Sequence, residues 1–206
     1  MCYEVNHPRF TRLYILVQRQ LEQMVGPIRY EQNQRAKGKT LIIGAGTGLD
    51  IAALNSNDVT DVVLVEPDPS MQEYLQKNYP AYQMISSLAE QMSLAEQEFD
   101  TVISSLVLCS VIDIDQVLRE VYRVLKPGGQ YLFMEHVRHT AKIQSGVQNI
   151  LNPLWQKVAG GCQLNRDIRA RLEDSPLRLV EYRPAKSNLL IPIVAGRAVR
   201  PHAHAL

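Results

Sequence analysis

The residues best placed to do chemistry begin at Gly44-Ala45-Gly46-Thr47-Gly48, a glycine-rich turn that follows the apolar run Leu41-Ile42-Ile43. Glycines at the carboxyl end of a strand permit a tight turn and close approach of backbone to a ligand. The spacing is G-x-G-x-G; Leu49 stands where the last glycine of a dinucleotide fingerprint would fall, and no G-x-x-x-x-G-K-[ST] phosphate loop is present. A pyrophosphate cradle is therefore disfavoured. Glu66, twenty-two positions beyond Gly44, ends the next apolar run. A carboxylate there accepts both ribose hydroxyl protons, so turn and acid together fit an adenosine ribose without a 2′-phosphate.

A second group closes the later run QYLFMEH, where Glu135 and His136 fall on the ligand side of the expected sheet. His136 is the leading candidate for a base or substrate-orienting group, with Glu135 and Tyr14 behind it. Cys2, Cys109 and Cys162 are too few and too scattered for a disulfide framework or a CxxC metal site. Cys109 sits in an apolar setting, and Cys162 follows Gly160-Gly161 and is a candidate for the pocket wall. His202 and His204 join His136 and His139 as metal-ligand types, but the tail pair has i, i+2 spacing and no evident carboxylate partner, so a solvated tail and no metal site are expected.

The elements that position these groups alternate between short strand-like runs and longer helical ones, the mark of an α/β sheet. Runs at 40–43, 62–65, 101–104 and 130–136 carry successive aliphatic, β-branched or aromatic residues rather than an apolar-polar alternation, which suits parallel strands covered on both faces. Residues 177–182 and 194–200 read as a closing antiparallel pair. Helices are expected over 8–25, ended by Gly26-Pro27; over 69–78, capped by Asp68; and over 116–126, where Val117, Leu118, Val121, Val124 and Leu125 recur at helical spacing before Pro127-Gly128-Gly129. Residues 139–174 read as mainly helical, interrupted at Asn152-Pro153 and Gly160-Gly161, and the tail 201–206 as loose.

With 206 residues, 46% hydrophobic and 21% charged, the chain has the composition of one ordinary folded domain. A net charge of +1 provides no global field for nucleic acid. The longest apolar run near the start, Leu13 to Val17, is too short for an export signal or a membrane anchor. A cytoplasmic protein with reduced thiols and a locally recognised small-molecule partner is expected.

GAGTG, the acid of VEPDPSM, the segment FDTVISSLVLCSV and the segment VLREVYRVLKPGGQYLFMEHV, in that order, resemble the class I S-adenosylmethionine-dependent methyltransferases. NPLWQKVAGGCQLNRD is similar to the methyltransferase-like 7 group, associated with thiol S-methylation, and its bacterial relatives. The resemblance implies a three-layer, Rossmann-like seven-stranded sheet, mostly parallel with an antiparallel last strand. It also implies one domain over 1–206, in which 1–39 forms a helical lid and 139–174 an insertion shaping the acceptor site.

By the same resemblance Gly44, Ala45, Gly46 and Gly48 pass beneath the methionine part of S-adenosylmethionine, and Glu66 binds the ribose. Pro67 and Met71 lie near the adenine, the Ala89-Glu90 turn beside its exocyclic edge, and Ser105 and Leu106 at the methyl end. Ile42 occupies a position where the family usually carries an acid, and Leu88 one where many relatives carry an Asp.

Transfer of a sulfonium methyl is an in-line displacement that needs alignment in a water-poor pocket, and a general base only when the acceptor arrives protonated. The expected function is methyl transfer to a small acceptor, with a thiol preferred. Alternatives are a lipid or quinone-like headgroup methyltransferase and a non-catalytic S-adenosylmethionine-binding protein.

Overall fold

Runs that are apolar on both faces bury themselves only when helices cover both sides of a sheet. In the computed structural model, which describes residues 5–186 and 190–202, seven strands do so: β1 (Gly38–Ile43), β2 (Val59–Val65), β3 (Gln83–Ile85), β4 (Phe99–Ser105), β5 (Leu125–His136), β6 (Arg178–Lys186) and β7 (Ile193–Val199). Cys2 and His204 lie outside the described residues.

The strand order is β3-β2-β1-β4-β5-β7-β6. All pairings are parallel except those of β7, which runs antiparallel to β5 and β6. The expected mostly parallel sheet with a reversed last strand is what forms. Side chains sort by strand alternation. Leu41, Ile43, Val63, Val65, Val102, Tyr131 and Phe133 face one core, and Ile42, Leu64, Ile103 and Leu132 the other.

Register places the chemistry. Ile43 pairs with Val65 on one side and Ser104 on the other, and Ser105 pairs with Met134. Gly44, Glu66, Ser105 and His136 thus emerge along one carboxyl edge, where β1 lies between β2 and β4 and the strand order reverses. Open α/β sheets bind ligands at such a switch point.

The helices are α1 (Pro8–Asn33), α2 (Leu49–Ala52), α3 (Pro69–Asn78), α4 (Ile114–Val124), α5 (Lys142–Val158) and α6 (Ile168–Glu173). Asp68 caps α3 as expected, accepting from the Ser70 N–H at 2.9 Å. The expectation that α1 ends at Gly26-Pro27 is corrected: the helix continues to Asn33 with Pro27 inside it. A proline costs one backbone bond there, but the last turn is anchored by buried polar contacts. Arg29 and Asn33 donate to Asp50 Oδ1 at 2.8 and 2.7 Å, and Gln32 donates to the Gly196 carbonyl. Similarly, α5 runs through Asn152-Pro153 without interruption.

Candidate active site

The glycine turn leaves β1 in left-handed backbone, with φ +62° at Gly44 and +55° at Gly46. That region costs an L-residue roughly 1–2 kcal/mol, which explains glycine at both positions. A Cβ at Gly44 would also lie 2.6 Å from Val107 Cγ2. The turn brings the Gly46 N–H to Glu66 Oε2 at 2.8 Å, while the Asp68 N–H donates to Oε1 at 2.9 Å. Glu66 is thereby held at the end of β2, only 5% exposed. Burial pushes its carboxyl up to about 7, against the lowering effect of the Asp68 and Gly46 N–H groups.

Asp50, which lacked a signal of its own in the sequence, sits on α2 beside this turn, and its Oδ1 also accepts from Ser105 Oγ at 2.7 Å. Arg29 is buried, which opposes its charge, yet Asp50 and then Glu22 overcome this and raise its pKa. Ile42 points into the core, fully buried, in the same cluster as Ala45 and Ile51. A carboxylate nevertheless stands beside the turn: Asp50 of α2, which lines the cavity described below. The N-terminal half of α1 reaches the same region: Thr47 Oγ1 donates to Gln18 Oε1 at 2.7 Å, the His7 N–H to Asp68 Oδ2 at 2.7 Å, and Thr11 and Ser70 hydroxyls lie 2.6 Å apart.

After β4 the chain turns sharply at Leu106, a non-glycine residue with φ +61°, whose N–H donates to the Met134 carbonyl at 2.7 Å. Strain of this kind persists only where surrounding contacts over-determine it. Glu135 supplies some of them. Fully buried, it accepts the Val107 and Leu108 N–H groups on Oε1, both at 3.0 Å, and does not line the cavity described below. Its contacts shape the turn from behind.

His136, one residue on, does face the cavity. Its Nε2 lies 2.6 Å from Cys162 Sγ, whose own neighbour at 3.5 Å is Cys109 Sγ, and its Nδ1 is buried without a partner. Sequence spacing gave no hint that these three meet, because they come from the β4–α4 loop, the end of β5 and the α5–α6 loop.

These groups share one cavity of about 610 Å³. Tyr14, Gly44, Ala45, Gly46, Glu66, Pro67, Met71, Ala89, Glu90, Ser105, Leu106 and His136 all line it. Gly48 does not: it faces the ring of Tyr79, which a Cβ there would strike. Tyr14 packs 5.8 Å from Phe10, centroid to centroid, and burial raises its phenol pKa. The far part of the cavity is apolar, with Phe10, Leu13 and Val17 of α1 facing Trp155 and Val158 of α5. Arg166 spends its guanidinium on the Leu108 and Val111 carbonyls, each at 2.5 Å, and Asp167 caps α6.

A doubly wound sheet carrying a glycine turn and a buried acid at its switch point defines a nucleoside-binding α/β protein. The comparisons narrow this class. The methyltransferase-domain family matches residues 41–133. The chain is 31% identical over 192 residues to human (Homo sapiens) thiol S-methyltransferase TMT1A, covering 87% of this chain and 75% of that protein. It is 34% identical over 172 residues to the rat (Rattus norvegicus) thiol S-methyltransferase TMT1B, covering 78% and 70%. Among solved structures, geranyl diphosphate C-methyltransferase from Streptomyces coelicolor A3(2) superposes with a TM-score of 0.67 at 12% identity, covering 88% and 77%, a likeness of fold.

The chain belongs to the class I S-adenosylmethionine-dependent methyltransferases, in the group related to the thiol S-methyltransferases. It is an enzyme that transfers a methyl group from S-adenosylmethionine to a small-molecule acceptor. No helix among the described residues is long and apolar enough to cross a membrane.

Proposed function

We propose that the acceptor is a small apolar thiol, methylated in the chamber between α1 and α5. The observation carrying this reading is the polarity of that chamber: walls of Phe10, Leu13, Val17, Trp155 and Val158, with sulfur and imidazole groups at its inner end. An apolar thiol needs few hydrogen bonds to be held, and the names of the relatives at 31% and 34% identity point the same way.

The cofactor fits the near end on the chain's own chemistry. Gly46 leaves room for a ligand against bare backbone, the nearest atom to a Cβ there being the Gly44 carbonyl at 3.8 Å, while Gly44 lets the turn pass close to Val107. Glu66, with one N–H on each oxygen, keeps lone pairs for two ribose hydroxyls. In this assignment Gly44, Ala45 and Gly46 hold the methionine part, with Gly48 keeping the turn closed against Tyr79. Pro67, Met71 and the Ala89-Glu90 turn flank the adenine, and Ser105 and Leu106 border the methyl end. Bound there, S-adenosylmethionine supplies an already activated methyl group. The protein's remaining tasks are to align the acceptor, exclude water and manage its proton. Glu135 fixes the Leu106 turn, His136 serves the acceptor's proton or orientation, and Tyr14 contributes wall.

In the same proposal the chain works as one domain, with residues 1–39 as lid and 139–174 shaping the acceptor site, in a cytoplasmic setting.

A panel of alkyl thiols, phenols and amines of matched size, assayed for S-adenosylhomocysteine release, tests the acceptor. Thiols are expected to turn over at least a hundredfold faster, about 2.7 kcal/mol in the barrier; preferred turnover of a phenol or amine refutes the proposal. A second reading, an acceptor presented at a lipid surface, is favoured by an exposed stripe on α5 comprising Ile143, Val147, Ile150, Leu151, Leu154 and Val158. Sedimentation with phosphatidylcholine vesicles, and faster turnover of a vesicle-borne acceptor than of a free one, would support it.

A further inference from the structure

Three soft or borderline ligand groups converge on the acceptor end of the cavity. Cys109 Sγ, Cys162 Sγ and a ring nitrogen of His136 lie within 4.8 Å of one another, with Cys109 and His136 buried and Cys162 partly so. They are carried by three separate loops and strand ends, which are tied together: the Gln163 N–H donates to the Cys109 carbonyl at 2.8 Å, and Cys109 Sγ rests 3.3 Å from the Leu106 carbonyl. Two thiols and an imidazole form the donor set of a catalytic zinc site, in which three protein ligands leave a fourth position open.

We propose that Cys109, His136 and Cys162 bind one zinc ion whose fourth position takes the sulfur of the acceptor. Bond lengths of about 2.3 Å to sulfur and about 2.0 Å to nitrogen at tetrahedral angles set sulfurs near 3.8 Å apart and nitrogen near 3.5 Å from sulfur, to within about 0.2 Å. The two cysteine sulfurs stand at 3.5 Å, close to that separation. The His136 to Cys162 pair, at 2.6 Å, must open by about 1 Å to reach these tetrahedral distances. Among the described residues Nδ1 makes no hydrogen bond that would resist this movement, and Cys162 follows the left-handed pair Gly160-Gly161.

Cys109 and His136 also line the same cavity as Ser105 and Leu106, so a ligand on the ion would share space with the methyl end.

This inference rests on the thiol reading and explains how such an acceptor becomes nucleophilic. A free thiol with a pKa near about 8.5 is mostly protonated at neutral pH. Coordination deprotonates it, the proton leaving to solvent. The thiolate sulfur then forms a bond to the methyl carbon while the carbon–sulfonium bond breaks, and that electron pair stays on the departing thioether sulfur. The methylated acceptor is itself a thioether, a weak ligand, and leaves the ion.

The test uses the full chain, reduced and stripped with a chelator. Competition against a chromophoric chelator is expected to show one Zn²⁺ per chain, with affinity lowered at least a hundredfold in Cys162→Ser and in His136→Gln. Thermal melts of both variants verify that they fold, and the cobalt arm needs no variant. Co²⁺ bound to the unaltered chain is expected to give sulfur-to-metal charge-transfer bands and visible bands of tetrahedral intensity, both shifted by 2-mercaptoethanol and unmoved by ethanolamine.

Absence of stoichiometric binding, binding untouched by either substitution, formation of a Cys109–Cys162 disulfide only, or a cobalt spectrum indifferent to the thiol each overturns the proposal. Thiol methylation that persists at full rate in metal-free protein overturns it too, while leaving the thiol reading intact. A metal site with the expected spectrum and no turnover of any thiol instead removes the thiol reading and, with it, the role given to the fourth position.

Discussion

Nucleoside affinity should depend on pH through Glu66. Its carboxyl ionises at about 7 in the ligand-free chain because burial outweighs the N–H groups of Asp68 and Gly46. Only the ionised form accepts from two ribose hydroxyls while keeping both backbone donors. If binding requires that form, the apparent dissociation constant is raised about elevenfold at pH 6 and only about 1.1-fold at pH 8. Affinity therefore tightens roughly tenfold across this interval, about 1.4 kcal/mol.

The effect on the empty protein has the opposite sign. Because the folded pKa lies above the ordinary value of 4.5, Glu66's contribution to stability is complete below about pH 4.5 and is lost as pH rises through about 7. The suitable probe is 5′-methylthioadenosine, which carries the ribose but no amino-acid group titrating between pH 6 and 8. Calorimetric titration of the native chain and Glu66→Gln is expected to give a tenfold slope in the former. The variant should show a flat profile and at least tenfold weaker binding at pH 8. A native dissociation constant unchanged within twofold from pH 6 to 8 refutes the titration of Glu66 near neutrality, and unchanged binding by the variant refutes the ribose assignment.

Three further outcomes are expected. Asp50→Ala leaves Arg29, 4% exposed, with Glu22 as its remaining carboxylate partner, and should cost about 3 kcal/mol in urea denaturation; a loss below about 1 kcal/mol would show the network to be ornamental. Gly46→Ala should fold with a penalty of about 1–2 kcal/mol, since the nearest atom to its Cβ is the Gly44 carbonyl at 3.8 Å. The added methyl should nevertheless cut S-adenosylhomocysteine affinity at least tenfold, about 1.4 kcal/mol, and unaltered affinity would move the cofactor away from this turn. Tyr14→Phe should change kcat less than about threefold, because burial holds the phenol protonated well above neutral pH; a hundredfold fall in kcat at constant KM would make Tyr14 the base.

The sheet was legible because its information is local. Aliphatic runs ending at Gly44, Glu66, Ser105 and His136 announce strands with chemistry at their carboxyl ends, and Asp68-Pro69 announces a helix start. Only the three-residue edge strand β3 lacked enough apolar pattern to be found by its own sequence, and its existence followed from the implied seven-stranded plan. The course of α1 past Gly26-Pro27 was hidden because its cause is tertiary: Arg29, Gln32 and Asn33 find partners on α2 and β7. Asp50 and the convergence of Cys109, His136 and Cys162 were hidden for the same reason. No spacing along the chain reports that loops after β4, β5 and α5 arrive at one point.

The continuity of α1 also constrains how molecules enter. Beyond Pro27 the helix is fastened to α2 and β7 by buried bonds to Asp50 and Gly196, while its earlier turns are latched to the glycine turn and the start of α3 through Gln18, His7 and Thr11. Three such latches are worth about 1 kcal/mol each, and the absent proline N–H together with Gly26 marks the place where the rod yields most readily. If the leading turns swing about Gly26-Pro27 while the trailing turn stays fixed, the chamber opens. Amides before Gly26 then exchange with solvent faster than those of residues 29–33, and a bound nucleoside slows the first set alone.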